Sequence, residues 1–134
     1  MIDYETLGKA IGVKHIRKID PYNIKETMAI VKEEMDRPEA SLILCTDSPC
    51  IMLRRAKPLE KFKNAFFAVS TDKCRGCKVC LDIGCPAISW QEGAGVTVDG
   101  HKRKGTVFIN KDQCVGCEVC AQVCKFEAIV PGTK

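Results

Sequence analysis

The segments CRGCKVCLDIGCP (74–86) and CVGCEVCAQVCK (114–125) each set three cysteines at every third position and add a fourth shortly after. An apolar core has no use for that spacing. A single tight loop that supplies three thiolates, with a fourth arriving from further along the chain, is what an iron–sulfur cube requires. The two runs are copies. DKCRGCKVCLDIGCPAIS aligns with DQCVGCEVCAQVCKFEAIV, and Cys74 and Cys114 stand 40 residues apart. A repeated ligand run predicts two metal sites in one duplicated unit.

In proteins built on two such runs, the last cysteine of each run ligates the other cluster. On that rule Cys74, Cys77 and Cys80 with Cys124 hold the first [4Fe-4S] cluster, and Cys114, Cys117 and Cys120 with Cys85 hold the second. The crossing also sets the clusters near each other, as a two-step path for electrons requires. The first run is one residue longer before its last cysteine, and Gly84 absorbs the extra residue by adopting angles other residues avoid. Gly76 and Gly116 occupy matching places, where the lack of a side chain lets backbone N–H groups reach the sulfurs. Structural zinc uses CxxC pairs, and two triple runs with trailing cysteines exceed its four ligands. A three-iron cluster implies a missing ligand, and none is missing.

Other chemistry-bearing residues fit blander roles. Cys45 and Cys50 do not complete a site and are expected as small buried hydrophobes. His15 and His101 lie outside any ligand spacing. The basic stretch HKRK (101–104) reads as a solvated hairpin tip, with docking of an acidic electron carrier as its functional alternative. Lys125 stands where this motif commonly has proline, and its cation beside Cys124 favours the reduced cluster.

The chain has 134 residues and a formal charge of +4. Two clusters with their thiolates carry about −2 each, which brings the chain near neutrality and removes charge as an argument for nucleic-acid binding. The opening MIDYETLGKAIGVKHIRKID has no apolar run of signal-peptide length, and no stretch approaches the ~20 apolar residues of a membrane span. These features predict a soluble, cytoplasmic protein with reduced cysteines.

Only Cys45 and Cys50 precede the clustered cysteines. That asymmetry, with the basic, Pro58-interrupted join at 54–66, predicts two modules, 1–60 and 61–134. The first reads α-β-α-β. Asp3 caps a helix with Tyr4, Leu7 and Ile11 on one face and Gly12 at its end, and HIRKID makes a strand. Asn23 and Glu26 open a second helix in which Ile24, Met28, Val31 and Met35 recur at helical spacing, and SLILCT makes a strand buried on both faces of a parallel sheet. A unit this small buries little apolar area and is expected to lean on something larger. In the second module AISW, GVTVDG and GTVFIN are strands, Asp99-Gly100 is a hairpin turn, and AFFAVS pairs with the closing AIV. The fold class expected is α+β, a small βαβ unit followed by a dicluster ferredoxin-type domain.

GVKHIRKIDPYNIKETMAIVKEEM, SPCIMLRR and the two cysteine runs with GCPAISW together resemble the carboxyl-terminal part of the large subunit of indolepyruvate ferredoxin oxidoreductase. The resemblance implies that residues 1–60 are the tail of a thiamine-diphosphate-binding domain. It also implies electron transfer from a partner's thiamine adduct to soluble ferredoxin. The GDG…NN motif for diphosphate and magnesium is absent, so thiamine diphosphate and Mg are expected only in a partner chain, and decarboxylation is not expected of this chain alone. The alternative is a free-standing dicluster ferredoxin with an α/β docking appendage serving another redox enzyme. In a third reading the chain is a binding protein whose clusters are structural.

Overall fold

The computed structural model describes residues 2–45, 66–93, 97–98 and 100–132. Cys50, Pro58, nearly all of the 54–66 join, Asp99 and the side chain of His101 lie outside the described residues. The chain divides into two compact units, Met1–Pro58 and Leu59–Lys134.

The first unit runs α1 (Tyr4–Ala10), β1 (His15–Lys18), α2 (Ile24–Met35), β2 (Ser41–Leu44). Both helices start on side-chain caps: the Asp3 carboxylate accepts the Glu5 N–H, and the Asn23 side chain accepts the Glu26 N–H. Strands β1 and β2 pair in parallel with His15 opposite Ser41 and Lys18 opposite Leu44, so α2 is the crossover helix of a βαβ unit.

The apolar stripes of the two helices are not their most buried positions, although Ile24 and Val31 are half-buried. On α1 the stripe Tyr4, Leu7 and Ile11 points outward, and Gly8 is the buried position. Its missing side chain fits the close approach: a Cβ there would stand 2.7 Å from Leu42 Cδ2 and 3.0 Å from Ile16 Cδ1, so a larger residue would push those side-chain ends aside. On α2 Met28 and Met35 are 67% and 78% exposed, while Ile30 and Glu34 are buried. Glu34 is held there by polar partners from three elements. Ser41 Oγ on β2 donates to it at 2.6 Å. Arg37 Nε, just past α2, lies 3.0 Å away, and Arg17 Nη1 on β1 lies 3.5 Å away. Strand β2 is also less enclosed than a strand covered on both faces, since only Leu44 in it is buried.

In the second unit the order is β3 (Phe67–Val69), a 3-10 turn (Val79–Leu81), β4 (Ile88–Glu92), β5 (Thr97–Val98), β6 (His101–Lys102), β7 (Gly105–Ile109), α3 (Val119–Val123) and β8 (Ile129–Pro131). β5 and β6 form the short hairpin, with Thr97 opposite Lys102. The two longer pairings decide the architecture. Strand β3, which enters the first cysteine run, pairs antiparallel with β8, which leaves the second (Val69 opposite Ile129). Strand β7, which enters the second run, pairs with β4, which leaves the first (Ile109 opposite Ile88). Each copy is thus closed by the other. The core draws on both, with Phe67, Cys80, Ala87 and Ile88 from one and Val107, Ile109, Cys120 and Ile129 from the other.

Candidate iron–sulfur centres

The two cysteine loops share one backbone path. Cys74 N–H bonds to Ser70 O and Cys114 N–H to Asn110 O, both at 3.0 Å. Gly76 and Gly116 have φ of +68° and +71°, and Lys78 and Glu118 have φ of +66° and +64°. Two left-handed residues per loop turn the chain sharply, leaving Cys74, Cys80 and Cys120 buried, Cys114 and Cys117 half-buried and Cys77 exposed. Gly76 has a second constraint, because a Cβ there would meet Gly105 O at 2.8 Å and Trp90 Cη2 at 3.3 Å.

The copies diverge after the third cysteine. In the first the chain makes only a 3-10 turn and Gly84 then takes φ +69°, its N–H bonding Leu81 O at 3.0 Å. In the second the shorter AQV segment continues as α3 straight to Cys124. A left-handed glycine thus accommodates the additional residue.

Strand pairing carries each last cysteine across the unit. Cys85 lies just before β4, whose partner β7 leads into Cys114; Cys124 lies just before β8, whose partner β3 leads into Cys74. Two further bonds fasten these junctions, Ser70 N–H to Ala128 O at 2.7 Å and Asn110 N–H to Ala87 O at 2.8 Å. Two cavities result. One is lined by Cys74, Cys77, Cys80 and Cys124 with Val69, Val107, Phe126 and Ile129. The other is lined by Cys114, Cys117, Cys120 and Cys85 with Phe67, Ile83, Ile88 and Ile109. Among the described residues no three His, Cys, Asp or Glu side chains close on a point as a single metal ion needs. The sulfurs instead ring a space, as a four-iron cube requires.

The thiol chemistry fits such a group. Burial pushes the Cys120 thiol up to about 12, with the nearby Cys117, Cys114 and Cys85 adding to the rise. Cys80 is also pushed up, by burial and then by Cys124, Cys77 and Cys74. Four thiolates in an apolar pocket repel one another, and a cationic iron core relieves that repulsion while ionising them. Cys74 moves the other way. Burial opposes its ionisation, but donors from the Thr106 hydroxyl and the Gly76 and Val107 N–H groups, with the Arg103 charge, outweigh it. The Ala128 N–H adds a bond to Cys124 Sγ at 3.3 Å.

Arg103 corrects one sequence reading. It belongs to the basic stretch expected as a solvated tip, yet it is only 7% exposed. Its Nη1 donates to Thr71 O at 2.8 Å and to Cys74 O at 2.6 Å, which clamps the start of the first ligand loop from 29 residues away. No carboxylate among the described residues pairs with it, and a buried cation without an anion is costly. Nothing in the run HKRK marks which basic residue turns inward, so sequence reasoning had no signal for it. Cys45 is exposed rather than buried. His15 is half-buried, with Nε2 3.2 Å from Glu39 Oε2.

Residues 73–128 match the family model described as a 4Fe-4S dicluster domain. The second unit therefore carries an iron–sulfur domain of the two-cluster ferredoxin type, with two [4Fe-4S] clusters as its cofactors. The wider chain is related to one particular subunit. It is 35% identical to indolepyruvate oxidoreductase subunit IorA of Pyrococcus abyssi over 126 residues, which is 92% of this chain and 18% of that protein. It is 33% identical to IorA of Thermococcus kodakarensis over 97% of this chain and 19% of that protein. With IorA of Methanothermobacter thermautotrophicus it shares 32% identity over 99% of this chain and 19% of that protein. The chain spans about a fifth of the length of these curated relatives.

Proposed function

We propose that this chain is the electron-transfer part of an indolepyruvate-type 2-oxoacid ferredoxin oxidoreductase. In this reading single electrons pass from a partner's thiamine adduct through the second unit to soluble ferredoxin in the cytoplasm. Cys74, Cys77, Cys80 and Cys124 hold one cluster, and Cys114, Cys117, Cys120 and Cys85 hold the other. The observation that carries the proposal is the reciprocal pairing of β3 with β8 and β4 with β7, which brings each trailing cysteine to the opposite loop. The clusters supply one-electron redox chemistry. The protein's part is to hold eight thiolates in apolar walls, donate N–H groups to their sulfurs and keep the two sites within one small core.

Residues 1–60 act in this reading as the end of a thiamine-diphosphate domain whose remainder, with the diphosphate and Mg, lies in a partner chain. The outward stripe of Tyr4, Leu7 and Ile11 supports it, since those residues are 49–72% exposed and, among the described residues, the sheet of that unit has two strands. Among the described residues no helix is long and apolar enough to cross a membrane.

Affinity recovery from the native cell tests the proposal. Co-purification with thiamine-dependent subunits supports it, and recovery with an unrelated dehydrogenase favours a free-standing ferredoxin instead. Anaerobic iron and sulfide analysis should find about eight of each per chain, and zinc in their place refutes the cofactor assignment.

A further inference from the structure

The backbone repeats itself closely between the loops, but the charges do not. At the position after the first cysteine the first loop has Arg75 and the second Val115; at the left-handed position before the third it has Lys78 against Glu118. Lys78 and Glu118 are exposed and Arg75 and Val115 half-buried, each at the edge of its site. Arg75 and Lys78 line the first cavity, and Glu118 and Val115 line the second. Aromatic rings hold both cations in place: the Arg75 guanidinium lies 4.7 Å from the centre of the Phe126 ring, itself a wall of the first cavity, and Lys78 Nζ lies 4.3 Å from that of Trp90. Arg103, buried on the Cys74 carbonyl, adds a third positive charge.

The charges that flank the two runs in sequence are matched. Asp72 and Lys73 precede the first run as Lys111 and Asp112 precede the second, one charge of each sign in both. Lys125 and Glu127 follow Cys124 as another balanced pair, and Asp82 lies between Cys80 and Cys85, the latter a residue of the second site.

We propose that the two sites are electrostatically unequal, with Arg75, Lys78 and Arg103 beside the first and Glu118 beside the second. The first electron to enter the chain then settles at the site of Cys74, Cys77, Cys80 and Cys124. Reduction adds one negative charge to a site, and neighbouring cations favour the more negative form while a neighbouring carboxylate disfavours it. The inference rests on the proposed assignment of the eight cysteines and deepens it, by giving the path a direction. The second site passes electrons on readily and the first retains them.

An anaerobic titration of the whole chain with dithionite as electron donor, followed by low-temperature EPR, tests this. Complete reduction takes two electrons per chain, one for each cluster of the dicluster domain. In the wild type two one-electron waves are expected, at least tenfold apart in reduction equilibrium, or about 59 mV. The double variant Arg75→Val, Lys78→Glu copies residues that the second loop already carries on the same backbone path. It should lower the upper wave by tenfold or more and leave the lower wave in place. Glu118→Lys, in the other loop, should raise the lower wave alone. Movement of the lower wave in the double variant, or no movement in either variant at full iron content, overturns the inference while leaving two clusters standing. A wild-type chain with fewer than two [4Fe-4S] signals overturns both the inference and the cluster assignment beneath it.

Discussion

Gly76 and Gly84 offer a controlled comparison, because both are left-handed but only one is crowded. Gly76→Ala must hold φ near +68°, which costs an alanine about 1–2 kcal/mol. Its new Cβ also meets Gly105 O at 2.8 Å, and that oxygen belongs to a strand fixed by the β4–β7 pairing. Trp90 Cη2 at 3.3 Å closes another side. Neither neighbour is the loose end of a flexible chain, so overpacking adds roughly 1–3 kcal/mol, for a total of about 2–5 kcal/mol. Gly84→Ala faces φ +69° with nothing within 4 Å, and should lose only the backbone part, about 1–2 kcal/mol. The assay is anaerobic guanidinium unfolding at a fixed incubation time, read by loss of iron–sulfur absorption and compared between variants. With a slope of about 3 kcal/mol per molar, the steric difference places the apparent midpoint of Gly76→Ala about 0.3–1 M below that of Gly84→Ala. Equal midpoints would refute the argument that close approach, and not only turn geometry, demands glycine at position 76.

Cys85→Ala should remove the site formed with Cys114, Cys117 and Cys120 first, leaving about four irons and four sulfides per chain; loss of the other site refutes the crossed ligation. Arg103→Met leaves the Thr71 and Cys74 carbonyls without their donor, at about 1–3 kcal/mol for each buried acceptor. Iron loss in that variant should therefore begin at the first site, and simultaneous loss from both contradicts the clamp. The Glu34 carboxyl is held below the usual range, chiefly by the Ser41 hydroxyl, with burial opposing and Arg37 and Arg17 assisting. A depressed carboxylate stabilises the fold above its unfolded pKa of about 4.3, and the effect fades as pH falls through the lower folded value. NMR titration of the Glu34 side chain should give a midpoint below 4.5, and Glu34→Gln should flatten the acid-side loss of structure in the first unit.

Cysteine spacing carried most of the candidate site. Three thiols within seven residues leave few geometries, and duplication ties the unmatched fourth cysteine of each run to the other. The left-handed Gly84 was legible for the same local reason, as were the helix caps at Asp3 and Asn23, since each depends only on neighbours in sequence. The inner faces of α1 and α2 were not legible. Apolar spacing marks Tyr4, Leu7, Met28 and Met35 as a face that seeks cover, but cannot say that this unit leaves that face open and seats Gly8, Ile30 and Glu34 on its own two strands. Burial of Glu34 depends on Ser41 and Arg17, which reach it only after β1 and β2 pair.

The amino-acid order alone, then, determined what the chain binds, because ligand number and loop length are local properties of the backbone. Tertiary structure decided which charges sit near which site. Arg103 joins Cys74 from the far end of a hairpin, and whether a basic residue faces water or a thiolate depends on strand register, which no short segment contains.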